Sequence, residues 1–328
     1  MVSRVTDESP KCEEGHVTSQ SELLADPANF VEIPHCSLCG AEGREEVFRE
    51  DPFQVVRCEG CGLVYVTPRL KSEVLPKVYD EGYWTSEGPK SRGYADYRSQ
   101  EQLYLKTFRK RFQLIDRYKP PPGRLLDVGC AAGFFLKVAS EKGWQVEGVE
   151  LSAEIASHAR EEYGFQQVHV GTLESAPYEP KSFDLLTMWD VVEHVSDPSA
   201  FMELARRFLK PDGLLILETQ NVRSAFAERM GSKWQHYKHL EHLYHFDPKT
   251  IQRLLDEAGF EILENTPELG GKHVSIAFIR ERAERVSPAM RYLLWPLAPL
   301  NRVNFYVNLK DEMVIAARPK QGSQEEPS

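Results

Sequence analysis

The chain has 328 residues, 41% hydrophobic and 27% charged, enough for one large α/β domain and a small accessory module. A formal net charge of −10 gives no general attraction for phosphate backbones, so a stable nucleic-acid partner is not expected. No apolar run reaches the roughly 20 residues that span a bilayer, the start is polar and acidic rather than signal-like, and four of the six cysteines form two C-x-x-C pairs, which together lead to the expectation of a cytoplasmic metal binder rather than a disulfide scaffold.

Residues 1–33 carry Asp7, Glu8, Glu13, Glu14, Glu22, Asp26 and Glu32 against Arg4 and Lys11. Their apolar residues are sparse and without period, so a disordered tail is expected, with Cys12 a bystander. Residues 34–68 read as a separate module. Cys36-Ser37-Leu38-Cys39-Gly40 and Cys58-Glu59-Gly60-Cys61-Gly62 are two knuckles, and the 18 residues between Cys39 and Cys58 allow a short hairpin carrying Val47-Phe48 and Phe53 to Val56. A C-x-x-C turn presents two sulfurs from one bend, so Cys36, Cys39, Cys58 and Cys61 suit a structural zinc ion with no open coordination position. Redox or disulfide pairing is the alternative. Such a small module has little core, and the metal would supply much of its folding energy.

Residues 69–94 form a connector with an aromatic stretch, Tyr79-Asp80-Glu81-Gly82-Tyr83-Trp84, that either packs on the next domain or covers a ligand as a flap. Residues 95–119 read as one helix, with Leu105, Phe108, Phe112 and Ile115 on a single face. Lys106, Arg109, Lys110 and Arg111 form a basic cluster beside it, either a solvated face or a surface for an anionic acceptor.

The organising stretch follows. Arg124 to Val128 is a short apolar strand, Gly129-Cys130-Ala131-Ala132-Gly133 a glycine turn, and Ala132 to Lys142 a helix stopped by Gly143. Gly129 and Gly133 would let a ligand approach the backbone beside free helix N–H groups. The spacing is D-x-G-x-x-x-G, not the G-x-G-x-x-G of a hydride-transfer site. Asp127 at the strand end would repel a pyrophosphate and suits a ligand with an ammonium and a sulfonium, S-adenosylmethionine; an ordinary strand-to-helix turn is the bland alternative. Trp144 to Glu150 is a second strand whose terminal acid can accept from two ribose hydroxyls. Ser152 caps a helix running to Tyr163, and Gln167 to Val170 is a third strand followed by Gly171-Thr172-Leu173-Glu174. Ser182 to Asp190 is a fourth, running into Val191-Val192-Glu193-His194-Val195. Asp197-Pro198 opens a helix, and Leu214 to Leu217 is a fifth strand. His236, His239, His242 and His245 recur every third residue, a spacing that cannot keep four side chains on one helical face. Asp247-Pro248 caps a further helix and Phe260 to Glu264 is strand-like. Residues 270–310 are a helical insertion containing Tyr292 to Leu300, which is core packing, a lid, a dimer contact or a surface for a lipid-linked acceptor. Met313 to Ala317 is the last strand and 321–328 a second disordered tail.

Residues 95–320 resemble the class I S-adenosylmethionine-dependent methyltransferases: Leu125 to Phe135 is similar to their motif I, Glu150 to the acid of their second strand, and the segment from Ser182 to motif IV. The resemblance implies a doubly wound, mostly parallel seven-stranded Rossmann-like sheet preceded by a zinc ribbon. It implies a cofactor site made of Asp127, Gly129, Cys130, Gly133, Phe134, Glu150, Leu151, Leu173, Glu174, Asp190 and Tyr83, with Leu173 packing on the adenine ring and Glu174 or nearby backbone at its polar edge. Asp190-Val191-Val192-Glu193-His194 also resembles an acid-x-x-Glu-His segment of ubiquinone-pathway O-methyltransferases, where it is associated with a divalent cation.

Methyl transfer from a sulfonium asks the protein to position an already activated donor. An oxygen or carbon acceptor must also lose a proton, and His194 or His242 is the expected base, with Glu193 beside them. The order of zinc module then methyltransferase resembles zinc-binding proteins related to nucleotide-deoxysugar C-methyltransferases. Those enzymes carry a further C-terminal domain, not expected here, and shorter relatives resemble methyltransferases of surface-polysaccharide or natural-product pathways. The expectation is methyl transfer to a small-molecule or sugar/glycan-type acceptor. The alternatives are a nucleic-acid methyltransferase using the ribbon as a clamp, disfavoured by the acidic chain and the lack of an N-P-P-Y-type segment, and a non-catalytic cofactor-binding module.

Overall fold

A computed structural model describes residues 20–74, 100–287 and 289–321, with the side chains of 20–22, 282, 285 and 286 left aside. The chain opens with α1 (Gln20–Ala25), then β1 (Phe30–Val31), β2 (Arg44–Glu50), β3 (Phe53–Cys58), β4 (Val64–Thr67) and β5 (Arg69–Leu70). The larger unit follows as α2 (Glu101–Tyr118), β6 (Arg124–Val128), α3 (Phe134–Glu141), β7 (Gln145–Glu150), α4 (Ala153–Tyr163), β8 (Val168–Val170), β9 (Phe183–Trp189), α5 (Pro198–Phe208) and β10 (Leu209–Gln220). It ends with α6 (Ala225–Met230), β11 (Tyr244–His245), α7 (Pro248–Glu257), β12 (Phe260–Thr266), β13 (Lys272–Ser275), α8 (Ile276–Val286), α9 (Met290–Leu293), β14 (Asn304–Val307) and β15 (Glu312–Pro319).

Seven strands form one sheet in the order β12-β15-β10-β9-β6-β7-β8. Pairs β6–β7, β7–β8, β6–β9 and β9–β10 are parallel, and β15 runs antiparallel to both β10 and β12. The expected doubly wound, mostly parallel sheet is therefore present. Its strands are apolar because helices cover both faces: β9 buries Phe183, Leu185, Leu186 and Met188, and β10 buries Leu214 to Leu217. Helix starts follow the expected caps. Ser152 accepts from the Ile155 amide, Asp197 from Ser199 and Ala200, and Asp247 makes a reciprocal capping box with Thr250. The strand order reverses beside β6, between β7 and β9, which puts the ligand-binding crevice at the carboxyl ends of β6, β7 and β9.

Three features differ from expectation. Residues 20–33 are not a loose tail: Leu23 is buried against Leu70 and Val74, and Phe30–Val31 pairs with Arg69–Leu70; residues 1–19 lie outside the described residues. The cysteine module is not separate either. Its sheet has the order β11-β4-β3-β2, so one strand comes from residues 244–245, far along the chain. Tyr244 pairs with Tyr65 and His245 with Val64, while Arg69 donates to the Tyr244 hydroxyl and to the Ser196 carbonyl. Cys36, Leu38, Val56, Cys58, Leu63 and Tyr65 share one core with Phe246 and with Leu126 and Leu217 of the large sheet. Finally, Arg111 does not belong to a solvated basic cluster. It is buried, its guanidinium paired with Glu218 at the end of β10 and 3.8 Å from Glu312 at the start of β15. Lys106 instead donates to Asn304, Arg109 to Glu141, and Lys110 sits 3.4 Å over the Tyr306 ring.

Candidate functional site

The glycine turn lies between β6 and α3. Asp127, the fourth residue of β6, is buried and accepts a 2.6 Å hydrogen bond from the Thr187 hydroxyl on neighbouring β9. Burial, with Glu150 adding to it, pushes its carboxyl up to about 8. Among the described residues no cation pairs with it. The backbone then passes through left-handed conformations at Gly129 (φ 73°), Ala131 (φ 47°) and Gly133 (φ 82°). A Cβ on Gly133 would lie 2.8 Å from the Cβ of Ala159, so this glycine allows the close packing of α3 on α4. A Cβ on Gly129 would lie 2.7 Å from Val191, so the turn touches the segment that follows β9.

Glu150 ends β7, buried. Its two oxygens accept from the amides of Ala131 (3.0 Å) and Ser152 (2.9 Å), leaving a further lone pair on each. The carboxylate thus ties the glycine turn to the cap of α4. Leu151 is exposed beside it, and Glu174 is exposed after β8. Three of the expected cofactor residues have side chains in the core. Leu173 is buried with Leu126 and Val128. Phe134 is buried, stacked on Tyr104 with centroids 5.4 Å apart, and Cys130 is buried against Gly148. Tyr83 and the aromatic stretch around it lie outside the described residues.

Asp190 follows β9 with a left-handed φ of 55°, an uncommon conformation outside glycine that clusters at functional positions. Its carboxylate is half-exposed and 3.5 Å from Lys272 Nζ; against the upward push of burial, Lys272 and Arg111 draw it down to about 2. The next residues bring Glu193, His194 and His242 together, with one donor atom from each within 4.8 Å of the others. The Glu193 carbonyl accepts from the Leu243 amide at 2.8 Å, which pins the two segments. Thr219 donates to Glu193 Oε2, while Oε1 has no hydrogen-bond partner among the described residues; nor has His242 Nδ1. The His194 and His242 rings meet edge to face, centroids 4.7 Å apart. Burial lowers both imidazoles below the ordinary range, for His242 strongly and with the neighbouring His194 adding to it, so both are neutral at pH 7.

The four regularly spaced histidines do separate work, because residues 234–243 are turns leading into β11 rather than a helix. His236 lies 3.6 Å from both Asp311 and Glu312, His239 is 3.2 Å from Glu50 of the cysteine module, His242 meets His194, and His245 Nδ1 lies 3.5 Å from the Gln220 amide. Thr187, Thr219, Glu218 and Lys272 join the site without a motif that marks them, and Arg111, one of the basic cluster in the sequence, pairs with Glu218. The available signal was a hydroxyl or a charge inside an otherwise apolar strand, as in Leu185-Leu186-Thr187-Met188.

At the module, the sulfurs of Cys36 and Cys61 are 3.6 Å apart and those of Cys39 and Cys58 3.4 Å. That is well beyond a disulfide bond of about 2.05 Å and near the separation of about 3.8 Å set by a tetrahedron of zinc–sulfur bonds. Gly40 and Gly62 take φ of 72° and 83°, and their amides donate to the Cys36 and Cys58 carbonyls, closing each knuckle.

The family described as a methyltransferase domain matches residues 97–265. The chain is 30% identical over 151 residues to the ubiquinone biosynthesis O-methyltransferase of Idiomarina loihiensis, covering 42% of this chain and 61% of that one. It is 32% identical over 151 residues to the protein of that name from Xanthomonas axonopodis pv. citri, covering 44% and 59%. The chain thus spans about three fifths of the length of these relatives. Among solved structures, an S-adenosylmethionine-dependent methyltransferase from Mesorhizobium loti aligns with a TM-score of 0.43 at 17% identity, over 64% of this chain and 97% of that one.

Proposed function

Since the chain belongs to the methyltransferase-domain family, we propose that it transfers the methyl group of S-adenosylmethionine to a hydroxyl oxygen of a small-molecule acceptor. The observation that carries this reading is the buried carboxyl of Asp127, without a cation partner among the described residues, under a glycine turn that touches Val191 at the head of the Glu193–His194 segment. When bound, the cofactor supplies a methyl group already activated on sulfur. Asp127 would hold its ammonium group, Glu150 its ribose hydroxyls, and the backbone of Cys130 and Phe134 would line its path. His194 or His242, both neutral, would take the proton of the acceptor hydroxyl. A sugar or glycan hydroxyl, suggested by the order of modules, is the narrower form of the proposal. The relatives named ubiquinone biosynthesis O-methyltransferase favour a ubiquinone-pathway hydroxyl instead, and a screen of both acceptor classes with labelled methyl donor separates them. Cys36, Cys39, Cys58 and Cys61 would hold a structural zinc ion.

Asp127→Ala should weaken cofactor binding by about 30-fold or more in calorimetry, the loss of a charged hydrogen bond of about 2 kcal/mol; unchanged affinity would remove Asp127 from the site. The pH dependence has a definite sign. The free protein holds a proton on Asp127 up to about pH 8. A cation beside the carboxyl needs it ionised, so affinity should rise with pH between 6 and 8, by up to about tenfold per unit, then level off. Asp127→Asn should flatten that profile.

A second reading has its own support. Glu193 Oε1 and His242 Nδ1, without hydrogen-bond partners among the described residues, and His194 beside them would form a donor set for a divalent cation that would help ionise the acceptor.

A further inference from the structure

Residues 276–303 leave the fold as a finger on a two-stranded stalk. β13 and β14 pair antiparallel from Lys272 with Val307 to Ser275 with Asn304. The stalk is rooted beside the candidate site: the His273 amide donates to Thr107 on α2, and Lys272 reaches Glu312 at 2.9 Å and Asp190 at 3.5 Å. Within the finger, Met290, Leu294 and Ala298 recur every fourth residue and are half-buried, and Arg280 donates to Asn301. The other side faces outward. Tyr292 is 81% exposed, Trp295 71% and Leu293 69%, followed by exposed Leu297, Leu300 and Val303. So much contiguous apolar surface is unusual in a water-facing segment.

We infer that this finger docks on an anionic membrane surface. Charge selects the occupant. Residues 276–303 contain Arg280, Arg282, Arg285, Arg291 and Arg302 against Glu281 and Glu284, net +3 in a chain of net −10. Arg291 and Arg302 are exposed beside the apolar side chains. Tryptophan and tyrosine settle at the lipid–water boundary, leucines enter the acyl region, and arginines meet headgroup phosphates. A second copy seated symmetrically on this face would bring two positive fingers together, which opposes that occupant. No described helix is long and apolar enough to cross a membrane, so the contact lies in the interface. The docked finger would hold the lip of the site at the lipid, within reach of a membrane-dissolved acceptor. That consequence rests on the proposed methyl transfer, whereas the docking does not.

The test is co-sedimentation of the full chain with vesicles of phosphatidylcholine containing about one third phosphatidylglycerol, against phosphatidylcholine alone, with cofactor calorimetry run in parallel. Binding should be at least tenfold stronger to the anionic vesicles and should weaken with salt. Leu293→Ser with Trp295→Ser, and separately Arg291→Glu with Arg302→Glu, should each cut it at least tenfold while cofactor affinity stays as in the parent, which shows the fold intact. Vesicle binding with no cofactor affinity would leave the docking standing and refute the methyl-transfer reading. Failure to sediment with anionic vesicles, sedimentation that both variants retain, or a concentration-dependent dimer that Trp295→Ser abolishes without any vesicle binding would each overturn the docking.

Discussion

Replacing one knuckle, Cys58→Ser with Cys61→Ser, is expected to remove one zinc ion per chain and to lower the melting temperature of the whole protein by about 10 °C or more. A structural zinc site binds with an apparent free energy of about 10–16 kcal/mol, which becomes folding energy where the site forms only in the folded state. An isolated ribbon would keep that loss to itself. Here Cys36 and Cys58 lie in one core with Leu126 and Leu217, and β4 hydrogen-bonds to β11, whose preceding residues hold His242. If only about 3 kcal/mol reaches the large sheet, the transition moves by about 10 °C, at 2–4 °C per kcal/mol for a domain of this size. A chelator acting on the unaltered chain should reproduce the shift, which separates metal loss from the effect of serine itself. Metal analysis and thermal unfolding are the measurements. A folded, zinc-free parent protein with an unchanged transition would refute the zinc proposal.

The parts of the fold visible in the sequence are those set by short-range rules. The spacing of Asp127, Gly129 and Gly133 lies within seven residues, each cysteine pair within four, and the caps Ser152, Asp197 and Asp247 precede their helices directly. The parallel sheet follows from apolar runs alternating with helical periods. What escaped depends on contacts between distant residues. Arg111 reads as one cation in a basic run, and only its 107-residue separation from Glu218 reveals a buried ion pair. Tyr244 and His245 carry no strand pattern in so short a segment; they become a strand because β4 presents an open edge. Leu173 follows a strand end at the expected place, yet the core takes its side chain. Gly133 reads in the sequence as a turn glycine, whereas the close approach of Ala159, on a different helix, is a contact between distant residues that the sequence does not display.

His194→Ala should lower kcat by about 10²–10⁴, the usual weight of a positioned acid–base group, with cofactor affinity unchanged because the glycine turn and Glu150 are untouched. His242→Ala should do the same if the two rings act as one unit. The double variant should then fall little further than either single one, since groups that act together are not additive. Independent roles would multiply the losses instead. Glu193→Gln tells the two readings of the site apart. The amide keeps the Thr219 contact and the shape of the buried position but brings a donor to the atom that has no partner, Glu193 Oε1. With a metal-free base pair, activity should drop modestly and mild chelation should leave the turnover of the parent enzyme unchanged. With a divalent cation held by Glu193, His194 and His242, the parent enzyme should lose turnover on mild chelation and regain it on adding magnesium or manganese, while Glu193→Gln should no longer respond. Full activity in both histidine variants would exclude either reading, because each reading uses the His194–His242 pair, as base or as metal ligands.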